Sequence, residues 1–108
     1  MNTRSQQMLP SMEEKITPDL CSCMRPLLAG YVENRRRDLE EIFLELKLGN
    51  LKAISDKARE ISVSSASFGL PQLERASLSL VEASDRGDWA ETARLIVLIA
   101  NVLDHIEL

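Results

Sequence analysis

Few side chains in this sequence are equipped for chemistry, and their neighbours narrow what that chemistry could be. The single histidine, His105, stands in LDHIEL near the last residue. A polar residue closing a final helical turn is the simplest account of it, since positive character suits a helix C-terminus. Cys21 and Cys23 form CSC with no further cysteine, histidine or aspartate cluster beside them. That spacing supports neither a metal site nor redox chemistry and leaves two reduced thiols as the expectation. The third candidate is Arg59, at the head of AREISVSSASFG, residues 58 to 69, where Ser62, Ser64, Ser65, Ala66 and Ser67 crowd successive turns before Gly69. A guanidinium stays protonated and can bind a carboxylate in bidentate fashion, but it cannot act as a nucleophile. Small residues beside it imply that something approaches the helix closely. The remaining basic run, Arg35-Arg36-Arg37, has acids four residues away (Glu33 with Arg37, Arg36 with Glu40, Arg37 with Glu41), which is the spacing of helix-surface ion pairs.

The elements that must position these residues follow from composition and periodicity. At 108 residues, 44% apolar and 28% charged, the chain is one domain with one modest core. Aromatics make up only 4%, so the core is built from Leu, Ile, Val and Ala. The net charge of -4, with 13 basic and 17 acidic side chains mixed along the chain, argues against a nucleic-acid partner. Residues 1 to 16 are polar and do not resemble a signal peptide. The most apolar run, LIVLIANVL, residues 95 to 103, falls far short of the roughly 20 residues a membrane-spanning helix needs. A cytoplasmic protein without membrane contact is expected.

Gly49, Gly69 and Gly87 recur at intervals of about one helix, each where a C-terminal cap belongs. Asn50 is suited to be an N-cap, Pro71 to a first helical turn, and Asp88 to Glu91 to an acidic capping box. Thr17-Pro18-Asp19 reads as the start of a further, short helix. Four apolar stripes agree: Leu28, Val32, Leu39, Ile42 and Leu46; Leu51, Ile54, Ala58, Ile61, Ser65 and Phe68; Leu73, Ala76, Leu80 and Ala83; Trp89, Ala93, Ile96, Ala100 and Leu103. The expected fold is all-α: an antiparallel four-helix bundle with a short additional N-terminal helix, over residues 16 to 108, after a flexible tail of residues 1 to 15. The last helix is apolar on more than one side, through Leu95, Val97, Leu98, Ile99 and Val102. Either the short N-terminal helix covers it, or Val97 and Leu98 belong to a dimer surface.

At 100° per residue, Arg59 lies about 130° from the core stripe of its helix, on the solvent side. Lys52, Ser55, Asp56, Ser62, Val63 and Ala66 share that face. Ser62 and Ala66 would flatten it on either side of Val63, forming a docking floor.

In the order of its elements the chain resembles a histidine phosphotransfer (HPt) domain, the four-helix module of multistep phosphorelays. That family's second bundle helix carries H-x-[LM]-K-G-[SA], then small residues, an aromatic and a glycine. Without a gap the pattern falls on Arg59-Glu60-Ile61-Ser62-Val63-Ser64 and on Ser65-Ala66-Ser67-Phe68-Gly69. PDL (18 to 20), GYVENRRRDL (30 to 39), LPQL (70 to 73) and RGDW (86 to 89) sit where the family's helix entries and turns are expected.

The resemblance implies a receiver domain as partner, and it also implies lost chemistry. The phosphoacceptor histidine is replaced by Arg59, the lysine that helps hold the phosphoryl group by Ser62, and the space-making glycine by Val63. Phosphotransfer needs a neutral nitrogen lone pair, so no phosphotransfer activity, catalytic residue, cofactor or metal is expected. His105, on another helix, lacks the small-residue floor and a basic helper. The function implied is a non-catalytic module whose surface of Ser55, Asp56, Arg59, Ser62, Val63 and Ala66 docks on the acidic pocket of a response-regulator receiver. Arg59 is otherwise a solvated arginine paired with Asp56 or Ser55. Val63 either obstructs the partner or supplies an apolar contact. The alternative is a homodimerising or adaptor protein that works through its apolar last helix.

Overall fold

The computed structural model describes residues 15–108; the expected tail lies almost entirely outside the described residues. After a 3-10 turn, Arg25–Leu27, four helices follow: α1, Leu28–Leu48; α2, Leu51–Ser67; α3, Pro71–Asp85; and α4, Trp89–Asp104. They form the antiparallel four-helix bundle, with the short N-terminal helical element, that the periodicity implies. No described helix is long and apolar enough to cross a membrane.

Each turn is built by the residues that announce it. Gly49, Gly69 and Gly87 all take positive φ. The Asn50 side chain accepts a hydrogen bond from the Ala53 amide at 3.2 Å, closing the start of α2. Asp88 does the same for the Glu91 amide at 3.1 Å. Glu91 does not complete a reciprocal capping box. Its carboxylate turns instead to Arg94, at 2.7 and 2.9 Å, and that hydrogen bond holds its pKa below the usual value.

Packing follows the stripes on α1 and α3 and shifts on α4. Leu28, Val32, Leu39 and Ile42 are buried on α1, and Leu73, Ala76, Leu80 and Ala83 on α3. On α4 the buried arc is broader and displaced: Thr92, Leu95, Ile99 and Val102 are buried with Ile96 and Leu103, whereas Trp89 is exposed. The arginine run also departs from i,i+4 pairing, because two of its members lie at helix seams. Arg35 ion-pairs with Asp38 at 2.8 Å and Arg36 with Asp104 of α4 at 2.7 Å. Arg37 donates to Asn34, and Glu41 pairs with Lys57 of α2, raising the lysine pKa.

The N-terminal segment is where the structure departs most from expectation. No helix starts at Thr17-Pro18-Asp19, because the backbone there is committed elsewhere. Ile16 donates to His105 O at 2.7 Å and accepts from the Glu107 amide at 2.8 Å, making a parallel bridge beside Ile106. Asp19 donates to Gly69 O at 3.0 Å. The segment is thus a strap from the C-terminal end of α4 to the α2–α3 turn, with Ile16 buried and Leu20 packed on the core. Beyond it, a turn closed by the Met24 amide and Cys21 O brings the Cys21 and Cys23 Cα atoms to 5.4 Å, and the two form a disulfide rather than free thiols.

The strap explains Gly69. Its φ is +65°, and a Cβ there would overlap the Asp19 backbone. Gly69→Ala should therefore cost about 2–4 kcal/mol, from left-handed strain plus overpacking. Urea unfolding followed by far-UV circular dichroism measures it; a cost under about 1 kcal/mol would mean that the strap is not held against the turn.

Candidate functional site

The α2 stretch around Arg59 divides between inward and outward tasks. Ser55 and Ser62, expected on the docking surface, are 1% and 5% exposed. Taking Ile54 as reference, they lie about 100° and 80° around the helix, on the flank that meets α3. The buried arc of α2 is rotated toward that neighbour, so this flank is interior. Small residues are frequent on the buried faces of both helices. Ser55, Ala58, Ser62 and Ser65 are buried on α2, and Ala76, Ser77, Ala83 and Ser84 on α3. The α2–α3 interface is the most extensive in the bundle.

Buried hydroxyls in such an interface need local acceptors. Ser62 donates to Arg59 O at 2.7 Å, Ser65 to Ser62 O at 3.0 Å, and Ser84 to Leu80 O at 2.8 Å. Ser64 serves the other seam. Its hydroxyl meets Tyr31 Oη at 2.8 Å and accepts from Arg35 at 3.3 Å, while Tyr31 stacks on Phe68 with ring centroids 4.1 Å apart. The crowd of small residues therefore seats α2 against α1 and α3; Ala66 and Ser67 are its exposed members.

Facing outward are Asp56, Arg59, Val63 and Ala66. Asp56, Arg59 and Val63, with Glu60 and Ser64, share one open patch of the α2 surface. The Arg59 side chain is 59% exposed. Its partners differ in part from the expected ones. Asp56 is held by Lys52 at 2.8 Å, and Arg59 reaches Asp85 of α3 at 3.5 Å and Ser55 Oγ at 3.4 Å. Ser55 Oγ in turn donates to Asp85 at 2.7 Å. Asp85 is the participant that sequence reasoning missed. It ends α3 next to RGDW, and only the register of α3 against α2 brings it to Arg59.

His105 lies at the C-cap of α4, where its Nδ1 donates to Asn101 O at 2.8 Å, in keeping with a helix-closing role. Among the described residues no group of three or more His, Cys, Asp or Glu side chains could hold a metal ion. Leu98 is buried, 5% exposed, so of the two residues assigned to a dimer surface only Val97, 62% exposed, reaches the surface of the chain. No family model matches this sequence, nor does any curated protein or solved structure match it.

The two classes of residue separate by stability. Ser55→Ala removes a buried donor to Asp85 and should cost about 0.5–1.5 kcal/mol. Arg59→Ala removes one exposed ion pair and should cost less than about 1 kcal/mol. Comparing urea midpoints of the two variants checks this; a larger loss for Arg59→Ala would make the arginine a structural residue.

Proposed function

We propose that this chain is a non-catalytic, HPt-like signalling module that binds response-regulator receiver domains in the cytoplasm without accepting phosphate. The support is the outward guanidinium of Arg59, midway along α2 at the position where the resembling family carries its phosphoacceptor. It projects beside an exposed Val63 on the open outer face of α2, held by a solvent-exposed ion pair to Asp85 and a long hydrogen bond to Ser55. Such a pair is worth about 0–1 kcal/mol, so an acidic pocket can draw the side chain away from Asp85. A bidentate bond to a carboxylate at the less hydrated centre of an interface contributes about 1.5–3 kcal/mol. The working surface is then Asp56, Arg59, Val63 and Ala66, with Ser55 and Ser62 as its buried supports.

The proposed lack of transfer chemistry follows from the same residue. A guanidinium has no localised lone pair to attack a phosphoryl group. His105 contributes one ring nitrogen to the closure of its own helix.

One observation favours a second reading, a homodimer built on the last helix. Val97 and Trp89 of α4 and Phe43 of α1 are exposed together. The Arg36–Asp104 pair sets α1 and α4 in an antiparallel register that brings Phe43 level with Val97. A charge at Val97 would split such a dimer, whereas a charge at the buried Leu98 would disrupt the fold.

Titration against receiver domains, with and without beryllium fluoride as a mimic of receiver phosphorylation, tests the first reading. Saturable binding is expected, weakened about 10- to 100-fold by Arg59→Ala, with no acid-labile phosphate transferred from a phosphorylated receiver. Full-strength binding by Arg59→Ala would remove the arginine from the mechanism. No binding, together with a sedimenting dimer that Val97→Glu dissociates, would replace this reading with the second.

A further inference from the structure

The Cys21–Cys23 disulfide has no structural task that the rest of the strap does not already perform. The bond closes a ring around a single intervening residue, Ser22. Loop-closure entropy gained from a cross-link rises with loop length, so a bridge of this span restrains the unfolded chain least. On the N-terminal side, Ile16 is hydrogen-bonded to His105 and Glu107, and Asp19 to Gly69. On the other side, the Arg25–Leu27 turn leads into α1, whose first residue, Leu28, is buried. The chain is therefore anchored before and after the ring without help from the sulfurs.

Both cysteines are also at the surface. Cys21, Ser22 and Cys23 are all exposed, and neither cysteine belongs to the core. Exposed disulfides that carry little of the fold are the labile ones, open to attack by a thiolate. The spacing favours the return reaction as well. Once reduced, the two thiols remain two residues apart in a turn whose Cys21 carbonyl accepts from the Met24 amide, so each is held within reach of the other.

We propose that Cys21–Cys23 is a thiol–disulfide exchange site for small thiols of the glutathione class, cycling between ring disulfide and dithiol while the bundle stays folded. A thiolate attacks one cysteine sulfur, breaking the ring bond, forming a mixed disulfide and releasing the other cysteine as a thiolate that takes up a proton. A second thiolate attacks the small-molecule sulfur of the mixed disulfide and releases the first cysteine, which is protonated in turn. The protein gains two electrons and two protons, and two small thiols leave as one small-molecule disulfide. In the reverse direction one cysteine thiolate opens that disulfide, and its neighbour displaces the second small thiol to close the ring. The reduced chain loses the covalent closure of the turn that leads into α1 and keeps the strap anchors.

The test uses the full chain equilibrated in glutathione buffers running from oxidised to reduced. Samples are acid-quenched, alkylated and weighed by mass spectrometry, with far-UV circular dichroism taken on parallel samples. The expected result is a concerted gain of two alkylatable thiols, with helicity unchanged across the series. In Cys23→Ser and Cys21→Ser the remaining cysteine should accumulate a glutathione adduct at least about tenfold more than the parent chain, because the resolving thiol is gone. The proposal is overturned if the pair resists millimolar reduced glutathione, if helicity falls on reduction, or if the parent chain accumulates the adduct as its single-cysteine variants do.

Discussion

The close approach of α2 and α3 is the constraint on which the arrangement of this bundle depends. Helix axes can come near only where the side chains between them are small. The buried faces of the two helices are rich in such residues: Ser55, Ala58, Ser62 and Ser65 on α2, and Ala76, Ser77, Ala83 and Ser84 on α3. Serine in such a contact brings a hydroxyl into a dry seam, and the helix absorbs much of that cost through its own carbonyls. Ser62, Ser65 and Ser84 each donate to a carbonyl three or four residues earlier. The same closeness brings Asp85 to Arg59 and Ser55, so the electrostatic character of the outer face is a by-product of how the core is packed.

On the opposite flank, α2 meets α1 through a different chemistry. Tyr31 lies over Phe68, its hydroxyl meets Ser64, and Arg35 stands over its ring at 4.7 Å. Lys57 bridges Asp38 and Glu41 along the same seam. With both flanks committed, what α2 leaves to solvent is an outer face of Lys52, Asp56, Arg59, Glu60, Val63, Ala66 and Ser67. A partner would meet two cations, Lys52 and Arg59, one β-branched apolar side chain and a rim of carboxylates. That surface favours an acidic partner only if Arg59 exchanges Asp85 for it, which ties binding at this face to a weak internal ion pair.

The N-terminal strap closes the bundle without a fifth helix. It spends its backbone hydrogen bonds on the two ends of the molecule, the α4 C-terminus and the α2–α3 turn. That arrangement accounts for a left-handed glycine at 69 against which Asp19 lies. It also leaves the cysteine pair in the one exposed stretch between two anchors, where a change of redox state is felt by the connector and not by the core.

The sequence by itself determined what local physics controls. Positive-φ glycines at 49, 69 and 87, the caps at Asn50 and Asp88, and apolar residues at helical spacing set four helices and most of their inward faces. Those are properties of a chain and its nearest turns. It also placed Arg59 on the outer side of its helix, because one angular step per residue suffices for that. Tertiary structure decided how wide each buried arc is, since that depends on which neighbour covers a flank. Ser55 and Ser62 went inside because α3 packs flush against them, Leu98 joined a core that reaches further around α4 than one stripe predicts, and Trp89 stayed out. It likewise chose partners distant in sequence: Asp85 for Arg59, Asp104 for Arg36, and His105 and Glu107 for Ile16. None of these has a local signal, because a carboxylate or an amide is indifferent to sequence distance and takes whichever partner the packing of the helices brings within reach.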